Sequence, residues 1–370
     1  MNFRLVPAVS IASLLVAAGC GSIGHASPKS QGPAKTTTVR HPKKTGTGHT
    51  KKPGTTGKAV PGVKGKGKTG ATASSTKLKV IGYWAHHKAL PPTSLGAWGH
   101  SLTFLSPLLY STTASGMLTA HKDAPLLAEA AKLKIPILPL VNDTTGKQTF
   151  LSTAATRRAA VTSIDHLVTT NHYQGVDIDF EPPHTRLSRD LTLFMTELHD
   201  TLPHTDTIIL AVVPHSGGAY NFKALAPEVS QFQLMTYDEH GDGTAPGPVA
   251  ALNWDKSLIA RLKSLVPPSK IYLGVALYGY EWTTGSTSAI TIPYQSVTPA
   301  LKSKATWNSR YQEETAHIGS HVYWWENRKS IRQKISLAKN NHLAGIALWQ
   351  VGYATPAIYH ELAKDIGRQP

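Results

Sequence analysis

The segment Tyr173 to Pro183 reads YQGVDIDFEPP and holds the residues best suited to chemistry. In an extended strand successive side chains point to opposite faces, so Asp177, Asp179 and Glu181 share one face and Val176, Ile178 and Phe180 the other. A buried carboxylate is destabilising by several kcal/mol unless it is paired, protonated or coordinated. Three of them on the inner face of one strand therefore mark a site. Spaced about 6.5 to 7 Å apart along the strand, they are close enough to couple, and one is expected to hold a proton near neutral pH. Glu181, at the strand end, is the natural general acid.

Retaining glycoside hydrolysis with an enzyme nucleophile needs two carboxyls about 5 to 5.5 Å apart on opposite sides of the sugar. Neighbours on one face of one strand cannot flank a substrate in that way. A sugar with a 2-acetamido group supplies its own nucleophile, the carbonyl oxygen, and needs only the acid and a group to steady the amide. Alternating carboxylates also suit Mg²⁺ or Ca²⁺, which keeps a metal-dependent hydrolase as a further reading. However, the chain has no HExxH and its 18 histidines are scattered, so neither a metal nor an organic cofactor is expected.

These acids need a scaffold, and residues 77–370 read as one. Apolar strand patterns alternate with helical ones over 294 residues, which suits a single (β/α)8 TIM barrel with an insertion. The expected strands are Leu78 to Trp84, Leu102 to Tyr110, Ile135 to Val141, the acidic stretch, Thr207 to Val213, Phe232 to Tyr237, Ile271 to Leu277 and Leu343 to Trp349. Pro136 and Pro139 remove two ladder donors from the third. Helices are expected around Pro125 to Leu133 and over Thr153 to Thr170, Arg189 to Leu202, Asn253 to Leu265 and Ser330 to Lys339, with apolar stripes at helical spacing. A small inserted subdomain, about 283–326, separates the seventh and eighth strands. Barrel chemistry sits at the C-terminal ends of strands, where Glu181 falls.

Ahead of the barrel, residues 1–20 read as a signal segment: Arg4, an apolar run from Leu5 to Ala18 too short to span a bilayer, then Ala17-Ala18-Gly19-Cys20. Cys20, the single cysteine, has no disulfide partner and stands where a bacterial lipobox places its lipidated thiol, so an exported, lipid-anchored chain at the cell surface is expected, and a secreted one otherwise. Residues 21–76, rich in Lys, Gly, Thr and Pro, read as a disordered tether. Of the 38 Lys and Arg, 16 precede Asp123, the first acid in the chain, and the other 22 are matched by the 22 acids. The basic excess thus lies in the first third, suited to anionic wall polymers or a membrane surface. Without aromatic residues for stacking, the tether does not suit nucleic acid. A monomer is expected.

The acidic stretch resembles the active-site strand of glycoside hydrolase family 18, the chitinase family, whose pattern is DxxDxDxE. Asp177, Asp179 and Glu181 match it, and Gln174 stands at the first acid. LMTYDEH, which puts Met235 and Tyr237 on one face, is similar to the family's M-x-Y-[D/N] segment. GIALWQVGY ends in Trp349, at the position of the tryptophan that floors the cleaved sugar. The resemblance implies that Glu181 protonates the leaving oxygen, Asp179 orients the acetamide, Asp177 tunes Asp179, and Tyr237 donates to the attacking carbonyl with Asp238 in support. It also places Met235 and Trp349 against the sugar. Of the aromatics near strand ends (Tyr83, Trp84, Tyr278, Tyr280 and Trp282), most are read as packing, and Tyr83 and Tyr278 as groove-lining.

PGPVAALNW, KIYLGVALYGYEW, VYWWENRKSIRQK and GIALWQVGYATP are similar to segments of the bacterial branch that acts on spore cortex and peptidoglycan. The substrate class implied is an N-acetylglucosamine-containing polysaccharide, peptidoglycan or chitin oligosaccharide alike. Two departures stand out. Gln174 can hydrogen-bond Asp177 but not take up its charge, which bears on the pH profile, and SPLLYS lacks the glycine-rich turn of typical chitinases. A carbohydrate-binding barrel without turnover is the alternative; the presence of Glu181 favours the enzyme.

Overall fold

The computed structural model describes residues 78–85, 91, 94–121, 123–181 and 184–367. The expected signal segment, Cys20 and the tether lie outside the described residues. Eight parallel strands close into a barrel: β1 (Lys79–Trp84), β2 (Phe104–Thr112), β4 (Leu140–Asp143), β5 (Gly175–Asp179), β6 (Thr207–Val212), β7 (Gln231–Leu234), β8 (Ile271–Ala276) and β14 (Gly345–Trp349). Closure is made by β1, which pairs with both β14 and β2. The short strand β3 (Leu118–Ala120) adds antiparallel to β2.

The helices that return the chain between strands are α1 (Leu95–Trp98), α2 (Ala124–Lys132), α3 (Ala154–Thr170), α4 (Ser188–Thr201), α5 (Phe222–Leu225) and α6 (Leu252–Lys263). Local signals set their starts. Asp123 accepts from Leu126 N–H ahead of α2, and Thr153 accepts from Thr156 N–H ahead of α3. The α4 stripe Leu191, Phe194, Met195 and Leu198 is buried, each side chain contributing about 1.5 to 3 kcal/mol. Val176, Ile178 and Phe180 of the acidic segment join this outer core, with Phe180 against Phe150 and Phe194. A smaller core of Ile81, Tyr83, Leu140, Ile209, Tyr272 and Ala347 fills the barrel interior.

The third barrel strand departs from expectation. It begins at Leu140, and ahead of it only Ile137 forms a bridge, to Leu105. The segment is extended and its carbonyls are used, Pro136 O by Leu105 N–H and Pro139 O by Asp177 N–H. Neither proline has an N–H to complete a regular ladder.

The insertion begins earlier than the sequence reading puts it. One residue after β8 the chain enters β9 (Tyr278–Thr283), followed by β10 (Ala289–Pro293), the short helix α7 (Pro299–Lys302), β11 (Thr306–Asn308), β12 (Glu313–Ile318) and β13 (His321–Trp325). These form an antiparallel sheet in the order β10-β9-β13-β12-β11. An apolar run crosses from barrel to insertion without turn residues, so composition does not mark the boundary. Tyr278, Tyr280 and Trp282 pack with Val322 and Trp324 on one face of this sheet. Helices α8 (Arg328–Asn340) and α9 (Pro356–Ile366) follow, α8 opened by an Asn327 and Ser330 capping box.

Candidate active site

The inward face of β5 carries Asp177 in the barrel interior and Asp179 above it, with Glu181 just past the strand. Asp177 is fully buried, and its Oδ2 accepts from the Tyr83 hydroxyl (2.7 Å) and the Ser106 hydroxyl (3.1 Å). Asp179 and Glu181 line a cavity of about 220 Å³ together with Tyr83, Gln233, Met235, Tyr237, Asp238 and Trp349. Trp349 forms one wall, its ring centroid 5.4 Å from Tyr83 and 6.3 Å from Tyr237, nearly parallel to the latter.

Burial pushes the Asp177 carboxyl up to about 7, with the neighbouring Asp179 charge adding and the Tyr83 and Ser106 hydroxyls opposing. Burial likewise raises Asp179 well above the usual carboxylate range, reinforced by the charge of Glu181. Glu181 is pushed up to about 7, chiefly by burial, against the hydrogen bond from Asp179 and with Asp238 adding. Oδ1 of both aspartates accepts no hydrogen bond, so part of the cost of burying the ionised form is left uncompensated. Burial and mutual charge thus favour a protonated form of the Asp179 and Glu181 pair.

The sign of this shift gives a pH prediction. With Glu181 pushed up to about 7, kcat/KM is expected to fall about tenfold per pH unit above that value, with an apparent value that belongs to the pair. Folding stability follows the same direction. Groups whose folded value lies above the unfolded one stabilise fully at pH below the unfolded value, about 4. That contribution is lost as pH rises through about 7, the value of Asp177 and Glu181. A pH–rate profile that stays flat from 6 to 9 would contradict a protonated Glu181 as the acid.

Across the cavity, Gln233, Met235 and Tyr237 alternate toward the interior. The Gln233 side chain hydrogen-bonds the Tyr237 phenol, while burial and then the charges of Asp179, Glu181 and Asp238 raise that phenol well above its usual value. Tyr237 is thus a neutral donor at any working pH. Its ring has room because β8 carries Gly274 beside it: a Cβ there would lie 2.8 Å from the ring and 2.7 Å from Leu234 O. Asp238 accepts at Oδ1 from the Tyr278 (2.5 Å) and Tyr280 (2.8 Å) hydroxyls of β9. Tyr278 is buried behind Asp238, its ring edge-on to Tyr237.

The expected residues Asp179, Glu181, Met235, Tyr237, Asp238, Trp349 and Tyr83 come together around the cavity, while Tyr278 acts on it through Asp238. Gln174 does not reach Asp177. It is exposed at the opposite end of β5, where its Oε1 accepts from Ile137 N–H (2.8 Å) and its Nε2 donates to His172 O (3.1 Å). The side chain splints the irregular third strand to the acidic one, and the expectation of a contact with Asp177 is corrected accordingly. Ser106, Gln233 and Tyr280 had not been assigned to the site. The signal for Gln233 was its even spacing from Tyr237, and for Ser106 a hydroxyl within the apolar start of its strand.

Among the described residues no group of three or more His, Cys, Asp and Glu side chains is arranged to hold a metal ion. The chain is similar to the uncharacterized glycosylase YvbX of Bacillus subtilis (28% identical over 223 residues, 54% of this chain and 64% of the relative). It is also similar to the putative sporulation-specific glycosylase YdhD of the same organism (28% over 220 residues, 54% of this chain). It thus spans 64% and 52% of these two relatives' lengths. A cortical fragment-lytic enzyme of Bacillus anthracis is 23% identical over 292 residues, covering 71% of this chain and 68% of the relative. Among solved structures, a chitinase from Chromobacterium violaceum superposes with TM-score 0.72 (23% identity, 79% of this chain and all of that one). The Bacillus cereus spore cortex-lytic enzyme SleL superposes with TM-score 0.70 (21% identity, 78% and 74%). The pattern of glycosyl hydrolases family 18 matches residues 124–354, a stretch that contains the acidic strand, Tyr237 and Trp349, and the chain belongs to that family.

Proposed function

We propose that the protein is an exported glycosidase that cleaves β-1,4 bonds after N-acetylglucosamine in peptidoglycan by substrate-assisted, retaining catalysis. The observation that carries this reading is the cavity in which Asp179 and Glu181 face Tyr237 and Trp349. The acetamide oxygen attacks the anomeric carbon while Glu181 gives its proton to the leaving oxygen, whose bond electrons it keeps. Asp179 balances the oxazolinium charge, Tyr237 holds the former carbonyl oxygen, and Glu181 then takes a proton from the incoming water. Asp238 is the one carboxylate in the cavity from another strand, but two phenol donors on its Oδ1 make it a poor nucleophile.

A charge asymmetry favours the anionic glycan. Lys147 and Arg186 are exposed on the loops after β4 and β5, at the same end as Glu181, while Asp242 is exposed on the loop after β7. Asp143, the acid at the base of the first loop, is buried and accepts from the N–H groups of Thr145, Lys147 and Gln148. Muramyl and peptide carboxylates would meet cations there, whereas neutral chitin would not. Lipidation at Cys20 and a tether lying along anionic wall polymers complete the reading.

The test is digestion of purified peptidoglycan and, in parallel, of chitin oligosaccharides, with new reducing ends identified by mass spectrometry. Ends in N-acetylglucosamine from peptidoglycan, released faster than from chitin and unaffected by chelator, are expected. Binding without product from either would leave a lectin-like barrel, and release from chitin alone would remove the anionic-glycan reading.

A further inference from the structure

Apart from the cavity, the molecule buries a second set of charges. Lys334 of α8 is 1% exposed, and its ammonium contacts Asp255 of α6 (2.6 Å), Glu326 just after β13 (3.0 Å) and the Ala250 carbonyl. Glu313 of β12, fully buried, accepts from Val249 N–H (2.8 Å) and Ala250 N–H (2.6 Å). Buried ion pairs of this kind add little net stability compared with apolar packing, so where their hydrogen bonds go is the informative point. Glu313 and Lys334 grip the same short stretch of backbone, and Tyr311 O accepts Leu252 N–H (3.0 Å) beside it.

That stretch is laced to the segment carrying Tyr237. Val249 O accepts from Glu239 N–H (2.9 Å), Pro248 O from His240 N–H (3.2 Å), and Glu239 Oε2 from Ala251 N–H (2.8 Å). Asp238, between Tyr237 and Glu239, has φ +60°, left-handed for a residue with a side chain. Such a conformation persists only where its surroundings over-determine it. Tyr278 and Tyr280 hold Asp238 from one side, and the laced stretch holds its neighbour from the other.

We propose that buried Glu313 and Lys334, together with half-buried Glu239, form a clamp that positions the Tyr237–Asp238 turn, making them positioning residues for the phenol that meets the acetamide. Glu313 belongs to the insertion, Lys334 to the helix after it and Glu239 to the loop after β7, so the insertion and its following helix contribute to the geometry of the reaction. The inference rests on the reading of Tyr237 as the acetamide's donor.

The experiment is a double-mutant cycle on the full chain, read as kcat and KM with an N-acetylglucosamine oligosaccharide. Glu313→Gln keeps the shape of the side chain but replaces one acceptor by a donor, against two N–H groups. Its kcat is expected to fall roughly tenfold to a hundredfold, the scale on which small misplacements act, with KM little changed. In the Tyr237→Phe background the same substitution should add little further loss, because the hydroxyl it misplaces is already gone. Losses that multiply fully, or a Glu313→Gln enzyme with wild-type kcat, would overturn the clamp. A Tyr237→Phe enzyme with unchanged kcat would instead overturn the reading of Tyr237. Glu239→Ala, at a half-buried position that removes the Ala251 link, carries the same cycle should Glu313→Gln fail to fold.

Discussion

Glu181→Gln is expected to lower kcat by about 10²- to 10⁴-fold, the range supplied by general acid and base work, while leaving oligosaccharide binding within a few-fold of wild type. The amide keeps the shape of the carboxyl and cannot give up a proton to the leaving oxygen. Burial pushes Glu181 up to about 7, so the variant should also lose the alkaline limb near that value. Calorimetric titration with an N-acetylglucosamine oligomer, beside initial rates, separates the two effects. A variant that still turned over at near wild-type rate would remove Glu181 from the acid's role.

The second large effect is on stability. Lys334→Met would leave Asp255, Glu326 and Glu313 buried without their cation, and breaking a buried pair from one side destabilises by about 3–5 kcal/mol. For a barrel of this size that corresponds to a fall in Tm of roughly 10 °C. The deficit should shrink toward pH 5. Asp255 is already pushed up to about 7 by burial, against the attraction of Lys334, and with the lysine gone it protonates more readily still. A melting curve at pH 7.5 and another at pH 5 would test this; equal losses at both would show that lost packing rather than uncompensated charge is responsible.

The acidic strand was legible because its signal is local. Alternation alone puts Asp177 and Asp179 on one face and Val176 and Ile178 on the other, and the barrel uses them so. Tyr237 and Trp349 were legible for the same reason, at the ends of apolar runs. What escaped depends on neighbours distant in sequence. Gln174 reads as a motif acid replaced, yet its partner is Ile137, on a segment whose own prolines create the need for a side-chain acceptor. The start of the insertion's sheet at Tyr278 escaped because nothing in LGVALYGYEW marks where the barrel stops. Lys334 follows Ile331 by three residues and precedes Ile335 and Ala338 on the buried stripe of α8. A lysine at such a spacing reads as solvated at its tip, and only the fold shows Asp255, Glu313 and Glu326 converging on it.

The direct passage from β8 into β9 bears on how this protein can be recombined. A chimera that exchanged only the inserted sheet would import tyrosines for Asp238 and a carboxylate for Val249 and Ala250 that had been selected against a different loop. The heritable unit of exchange is therefore discontinuous, residues 237–252 together with 278–334, and crossovers inside either piece are expected to be tolerated less well than crossovers in the α3 or α4 return helices.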